Sequence, residues 1–180
     1  DGLYTLSVRS KDGESLRVIG AISRIIVAPE AVDDLLRIMS DARTRIVSLT
    51  VTEKGYCHDP ATGSLNEKHP DIVHDRAEPR RPRSAPGLIV EALRRRREAG
   101  LAPFAVLTCD NLPSNGRTVK RVLARYAELV DPDLGLFVAK NVSCPATMVD
   151  RIVPATTDGD RARISQAIGV TDAWPVVTEP

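Results

Sequence analysis

The 180 residues carry no long hydrophobic run, no cysteine framework and no excess of either charge. No apolar stretch approaches the roughly 18 to 20 residues that a helix needs to cross a bilayer, so no membrane partner is expected. Basic residues number 25 and acidic residues 24, a formal net charge of +1. That balance excludes a dedicated nucleic-acid binder, whose basic patch shifts the total. Three cysteines are too few, and odd in number, for a disulfide framework, so a reducing cytoplasm is the expected location. No internal repeat is visible. The most telling absence is a dinucleotide fingerprint. None of the eleven glycines pairs with another at G-x-G spacing, so no loop offers the close backbone approach that a pyrophosphate requires.

What is present reads as one domain, with an apolar content of 42% and a charged content of 27% that are ordinary for a globular protein. Residues 3–10 and 16–28 read as extended segments around the turn Lys11-Asp12-Gly13-Glu14. Pro29-Glu30 opens a helix to about Ser40, and residues 46–52 form an apolar, β-branched strand of the kind covered on both faces. Residues 56–85 lack periodicity and form a long excursion with at most a short helix near 72–75. Beyond it come a helix over 87–99 stopped by Gly100, a strand over 104–109 and helices over 117–130 and 132–141. Residues 142–152 start like a strand, a helix spans 158–168 with Gly169 as its cap, and Val176-Val177 begins a last strand. Strands alternating with helices imply βαβ units, an α/β fold with a mainly parallel sheet and helices on both faces.

Within that pattern, Thr108-Cys109-Asp110-Asn111-Leu112-Pro113-Ser114-Asn115-Gly116 stands out. It ends the apolar run Phe104–Leu107 and precedes a helix, so it is a polar elbow at the carboxyl end of a strand, where open α/β sheets bind ligands. Asn111 there is a neutral amide that can donate to a substrate oxygen without titrating. The alternative is that Asp110 and Asn115 merely build the turn and cap the helix. Ser48–Cys57 repeats the design, with Glu53 beside Gly55 at a strand end, either a proton-handling carboxylate or an exposed loop acid. Pro145–Pro154 is a third polar cluster. Its adjacent Asp150 and Arg151 would be costly in an apolar setting unless paired, so they read as locks at the sheet's end.

These segments, with Arg17-Val18-Ile19-Gly20, Met148-Val149-Asp150-Arg151-Ile152 and residues 172–180, resemble the mannitol dehydrogenase family of long-chain polyol dehydrogenases, which includes fructuronate reductase. The likeness covers nearly the whole chain and departs at Cys144 and Ala146. It implies a Rossmann-like domain incomplete on its N-terminal side, with residues 1–180 as its distal part. The first βαβ unit and a C-terminal helical domain would lie outside this chain, which would pack against that domain through Trp174. It implies NAD, or NADP, as cofactor, no metal, and a sugar alcohol or sugar acid as substrate, oxidised to a 2-ketose or keto-uronate by hydride transfer. Asn111 and Glu53 become catalytic-site residues, Val149 packs on the nicotinamide, and Asp110 lies at the cofactor. The catalytic lysine belongs to the absent domain, so Lys54 is rejected. The competing reading is a Rossmann-like module without catalysis.

Two further clusters read more plainly. Cys57, His58, His69 and His74 fit no ordinary zinc spacing. Arg94 to Arg97 spread around a helix near Glu91 and Glu98, as on a solvated face.

Overall fold

A strand cannot end without its next backbone groups finding other partners, and in this chain the side chains that supply them set the element boundaries. The computed structural model describes residues 2–148 and 153–179. In chain order the elements are β1 (Tyr4–Ser10), β2 (Gly13–Ile19), α1 (Val32–Ser40), β3 (Ile46–Leu49), α2 (Thr52–Gly55), α3 (Pro70–Ala77), α4 (Ala85–Glu98), β4 (Ala105–Thr108), α5 (Asn115–Val130), α6 (Pro132–Asn141), α7 (Asp158–Ile168) and β5 (Val176–Thr178). They fall into two compact units, residues 1–25 with 150–180, and residues 26–149.

In the first unit β1 is the central strand. It pairs antiparallel with β2, from Tyr4 opposite Ile19 to Ser10 opposite Gly13, and parallel with β5, from Leu6 opposite Val176 to Val8 opposite Thr178. Gly13 holds φ at +138°, which a side chain would resist, and this lets the hairpin close over Lys11 and Asp12. The extended segment expected to run to residue 28 forms a ladder only as far as Ile19, where pairing with β1 ends. Thr157 and Asp160 form a reciprocal capping box at the start of α7, and Gly169 ends that helix at φ +76°.

The second unit carries the parallel pair β3–β4, in register from Ile46 opposite Ala105 to Leu49 opposite Thr108. Val106, Phe104 and Leu49 are buried with Leu36, Ile89, Leu93, Val119, Leu123, Tyr126 and Val138 from the surrounding helices. The excursion over 56–85 is tied down more firmly than its sequence announces. Asp75, fully buried on α3, accepts from the backbone N–H of Arg83 at 2.8 Å, from that of Ser84 at 3.0 Å and from the Ser84 hydroxyl at 2.6 Å. Ser84 in turn caps α4 by accepting from Gly87 N–H at 3.0 Å. The carboxylate therefore sits at the positive end of α4 and fixes where that helix starts.

The arginine run is less solvated than expected. Arg96 is buried and donates to the carbonyls of Asp41, Thr44 and Ala102, with its guanidinium 5.5 Å from the centre of the Phe104 ring. Arg94 and Arg95 close on buried Glu91 at 2.7 and 2.8 Å, and Arg97 is exposed above the Phe137 ring. Burial wins here because each buried charge finds partners, carbonyl oxygens for Arg96 and guanidinium groups for Glu91.

Asp75→Ala should destabilise the protein by about 3 kcal/mol, because it strands two backbone donors and the cap of α4. Denaturant unfolding of the variant beside the wild type measures this, and a loss below about 1 kcal/mol would show that water replaces the carboxylate.

Candidate functional site

The carboxyl ends of β3 and β4 are joined by one side chain. Asp110, two residues past β4, turns its carboxylate toward the end of β3, accepting from Val51 N–H at 2.9 Å and Thr52 N–H at 3.2 Å. Those N–H groups are then unavailable to a strand ladder. This is why β3 stops at Leu49 and not at residue 52, although Thr50, Val51 and Thr52 all favour strand. Thr52 instead adopts φ +59° and opens the short helix α2, so Glu53 stands exposed on a helical turn and not in a strand-end loop. Tyr56, 2% exposed, donates its hydroxyl to Asp110 at 2.6 Å and also touches the Thr108 hydroxyl. Burial, and next the Asp110 carboxylate, push the Tyr56 phenol well above its ordinary range, so it remains a donor.

Asn111 follows Asp110 directly, and it is exposed. Among the described residues no hydrogen-bond partner takes up its amide. Asp110 thus places two of the expected site residues, Asn111 beside it and Glu53 next to the captured Thr52, at one carboxyl edge of the β3–β4 pair. Val149, Asp150 and Arg151 lie outside the described residues. Asp110 itself is committed to backbone and phenol partners on the β3 side.

Asn115 carries more of the site than its sequence context declares. The helix cap falls on Ser114, which adopts φ +49° without a side-chain cap bond. Asn115 is buried at the first helical position. Its Nδ2 donates to the Thr147 carbonyl at 2.9 Å, to the Thr147 hydroxyl at 3.1 Å and to the Asp110 carbonyl at 3.3 Å. Its Oδ1 accepts from Thr147 N–H at 3.1 Å and Gly116 N–H at 2.7 Å. The Thr147 hydroxyl donates to the Thr108 carbonyl. A Cβ on Gly116 would meet the backbone of Cys144 at 2.5 Å and of Pro145 at 2.7 Å, so only glycine lets the 144–148 segment lie this close to the elbow. The adjacency of Asn115 to Gly116 was the one available signal, and it reads equally well as an ordinary turn. Among the described residues the strand-like start at residue 142 yields one ladder bond, from Val106 N–H to the Ser143 carbonyl, and side chains hold Thr147.

The fold brings Cys57 and His69 together with Asp71, their ligand-type atoms all within 4.8 Å of one another. Local bonding accounts for the group. His69 Nδ1 accepts from Asp71 N–H at 3.3 Å as the cap of α3, and burial, with Asp71 and Asp75 adding, pushes the Cys57 thiol up to about 11. In this arrangement His69 Nδ1 serves the cap of α3.

Residues 1–180 match the family model for the mannitol dehydrogenase Rossmann domain. The chain is 46% identical over 179 residues to the uncharacterised oxidoreductase YeiQ of Escherichia coli strain K12, covering 99% of this chain and 37% of that protein. It is 41% identical over 182 residues to the mannitol 2-dehydrogenase of Aspergillus terreus, covering 100% of this chain and 36% of that one. Among solved structures it is similar to a substrate-free D-sorbitol dehydrogenase, with a TM-score of 0.94, 35% identity and coverage of 98% and 37%. It is also similar to the ternary complex of Pseudomonas fluorescens mannitol 2-dehydrogenase with NAD and D-mannitol, with a TM-score of 0.92, 41% identity and coverage of 99% and 36%. The chain therefore spans little more than a third of the length of these relatives. Their likeness confirms a Rossmann-type α/β fold.

Tyr56→Phe should cost about 2 kcal/mol, since it removes a donor from a carboxylate, and thermal unfolding reads the loss. A neutral outcome would mean that the two backbone donors alone hold Asp110. The cysteines provide a second check. The folded Cys57 thiol keeps its proton to about 11, whereas an unfolded cysteine loses it near about 8.5, so this group's stabilisation is complete below the lower value and declines as the pH climbs toward the upper. At pH 8 a thiol reagent should label exposed Cys109 and spare Cys57 and Cys144, whose thiols burial pushes up to about 11, as peptide mass spectrometry would show.

Proposed function

This chain belongs to the mannitol dehydrogenase family, as its Rossmann domain, and from that premise we propose that its parent protein is an NAD-dependent polyol dehydrogenase. The reaction interconverts a sugar alcohol or aldonate with its 2-ketose or keto-uronate, of the mannitol/fructose or mannonate/fructuronate type. The observation that carries this reading is Asn111, an exposed neutral amide at the carboxyl end of β4, beside an aspartate locked to the neighbouring strand. Residues of this chain fit the nicotinamide end of a dinucleotide. They do not supply a phosphate grip, because no G-x-G loop is present.

NAD, when bound, supplies the hydride acceptor. The chain's own part is positioning and electrostatics. Asn111 donates to the substrate oxygen as negative charge gathers there, and it does so without losing a proton of its own. Asp110 keeps that amide at the sheet edge and lies beside the cofactor site. Glu53, exposed on α2, serves the proton path. Val149 would pack against the nicotinamide ring, with Asp150 and Arg151 as its structural support. The hydroxyl proton is taken by a lysine of a further domain, against which this one packs. The parent is cytoplasmic, and its oxyanion is held by amides and not by a metal ion.

The test uses the full-length parent with mannitol, arabinitol, mannonate and altronate, following NADH formation. Asn111→Ala should lower kcat about 100-fold while leaving NAD affinity little changed, because the amide acts on the developing oxyanion. An unchanged kcat with a raised NAD dissociation constant would remove Asn111 from the chemistry.

A further inference from the structure

The elbow is tied to the 144–148 segment through Asn115, and nothing in the chemistry just described uses it. A buried primary amide offers two donors and an acceptor oxygen with two lone pairs. Asn115, 3% exposed, commits both ends to residue 147, with Nδ2 to its carbonyl and hydroxyl and Oδ1 to its N–H. The Thr147 hydroxyl closes the circuit by donating to the carbonyl of Thr108, the last residue of β4. The result is a two-sided clamp. Residue 147 is referred at once to the end of β4 and to the start of α5, the two ends of the elbow that presents Asn111.

Here a four-residue stretch without secondary structure, 144–147, receives two side-chain clamps and the close approach at Gly116. Thr147 is half-buried while Pro145, Ala146 and Met148 beside it are exposed, so apolar burial does not hold the stretch in place. Polar bonds set its position, and polar bonds are directional.

We propose that Asn115 and Thr147 are positioning residues for hydride transfer, fixing the spacing between the Asn111 elbow and the 144–148 segment. This rests on the function proposed above, in which the elbow holds the reacting oxygen and the chain just after Thr147 meets the nicotinamide. Hydride transfer is steep in donor–acceptor distance, and a displacement of about 1 Å can cost on the order of 100-fold in rate. A clamp that removes freedom at residue 147 therefore acts on the chemical step more than on binding.

The experiment compares Thr147→Val, Thr147→Ser and Asn115→Ala in the full-length parent. Thr147→Val keeps the shape of the side chain and deletes the hydroxyl's bonds to Thr108 and to Asn115 Nδ2, and Thr147→Ser keeps the hydroxyl. With a polyol deuterated at the reacting carbon, Thr147→Val should lower kcat about tenfold and raise the primary isotope effect, with the NAD dissociation constant little changed. Thr147→Ser should restore both. In the cofactor-free protein, hydrogen exchange should find the residue 147 amide protected in the wild type and exposed in Asn115→Ala. A fall in kcat that tracks the folded fraction at a constant isotope effect would overturn the proposal, and so would a wild-type amide at 147 that exchanges freely. A wild-type parent that reduces no NAD with any polyol or aldonate would sink the functional reading itself, whereas an active wild type with an unaffected Thr147→Val sinks only the clamp.

Discussion

A single carboxylate, that of Asp110, decides where one strand stops and where the site begins. It takes the N–H groups of Val51 and Thr52, which would otherwise extend β3, and adds the Tyr56 hydroxyl from the following turn. Three consequences share that cause. β3 ends level with β4, the backbone at Thr52 is driven to positive φ, and α2 is launched with Glu53 on its exposed surface. Charge-assisted bonds from two amides and a phenol outweigh the strand preference of three β-branched residues, because that preference spans only about 1 kcal/mol per position.

The two sides of the elbow are built on different physics. On the β3 side a charged group gathers neutral donors, and each bond gains from the charge. On the 144–148 side a neutral amide meets backbone and hydroxyl partners, a network that is worth little per bond but tolerates no unpaired member once buried. Asn111 lies between them, exposed, and among the described residues its amide is left unbonded. The bonds on either side are made by Asp110 and Asn115 and leave the Asn111 amide facing solvent.

How much of this was legible in the sequence depended on the range of the interaction. Local signals were sufficient for α6 and α7, whose limits at Pro132, Asn141, Asp158 and Ile168 follow from proline, capping residues and Gly169. The elbow after Leu107 was equally plain, as an apolar run broken by Asp, Asn and Pro. Residues 50–52 misled, because the acid that removes them from the strand is Asp110, far away along the chain. The role of Asn115 was hidden for the same reason, since its partner Thr147 comes 32 residues later and nothing in Asn-Gly announces a distant clamp. Arg96 looked like one of four surface charges until its carbonyl partners near residues 41 and 44 came into place. Asn111 and Glu53 stood out as candidates because polar side chains just past an apolar run need no distant partner to be noticed.

Asn115-Gly116 is also the pairing most prone to chemical ageing in a loose peptide, where the glycine nitrogen attacks the asparagine side-chain carbon and ammonia leaves. In this fold the Gly116 N–H points at Oδ1 at 2.7 Å and Nδ2 is held by Thr147, so the attacking nitrogen faces the oxygen and the leaving group is tethered. The clamp is therefore its own preservative. The amide endures as long as the elbow stays folded. Each excursion to an open state exposes it to a reaction that would replace two donors with a buried negative charge, so the lifetime of the site is set by how seldom this segment opens.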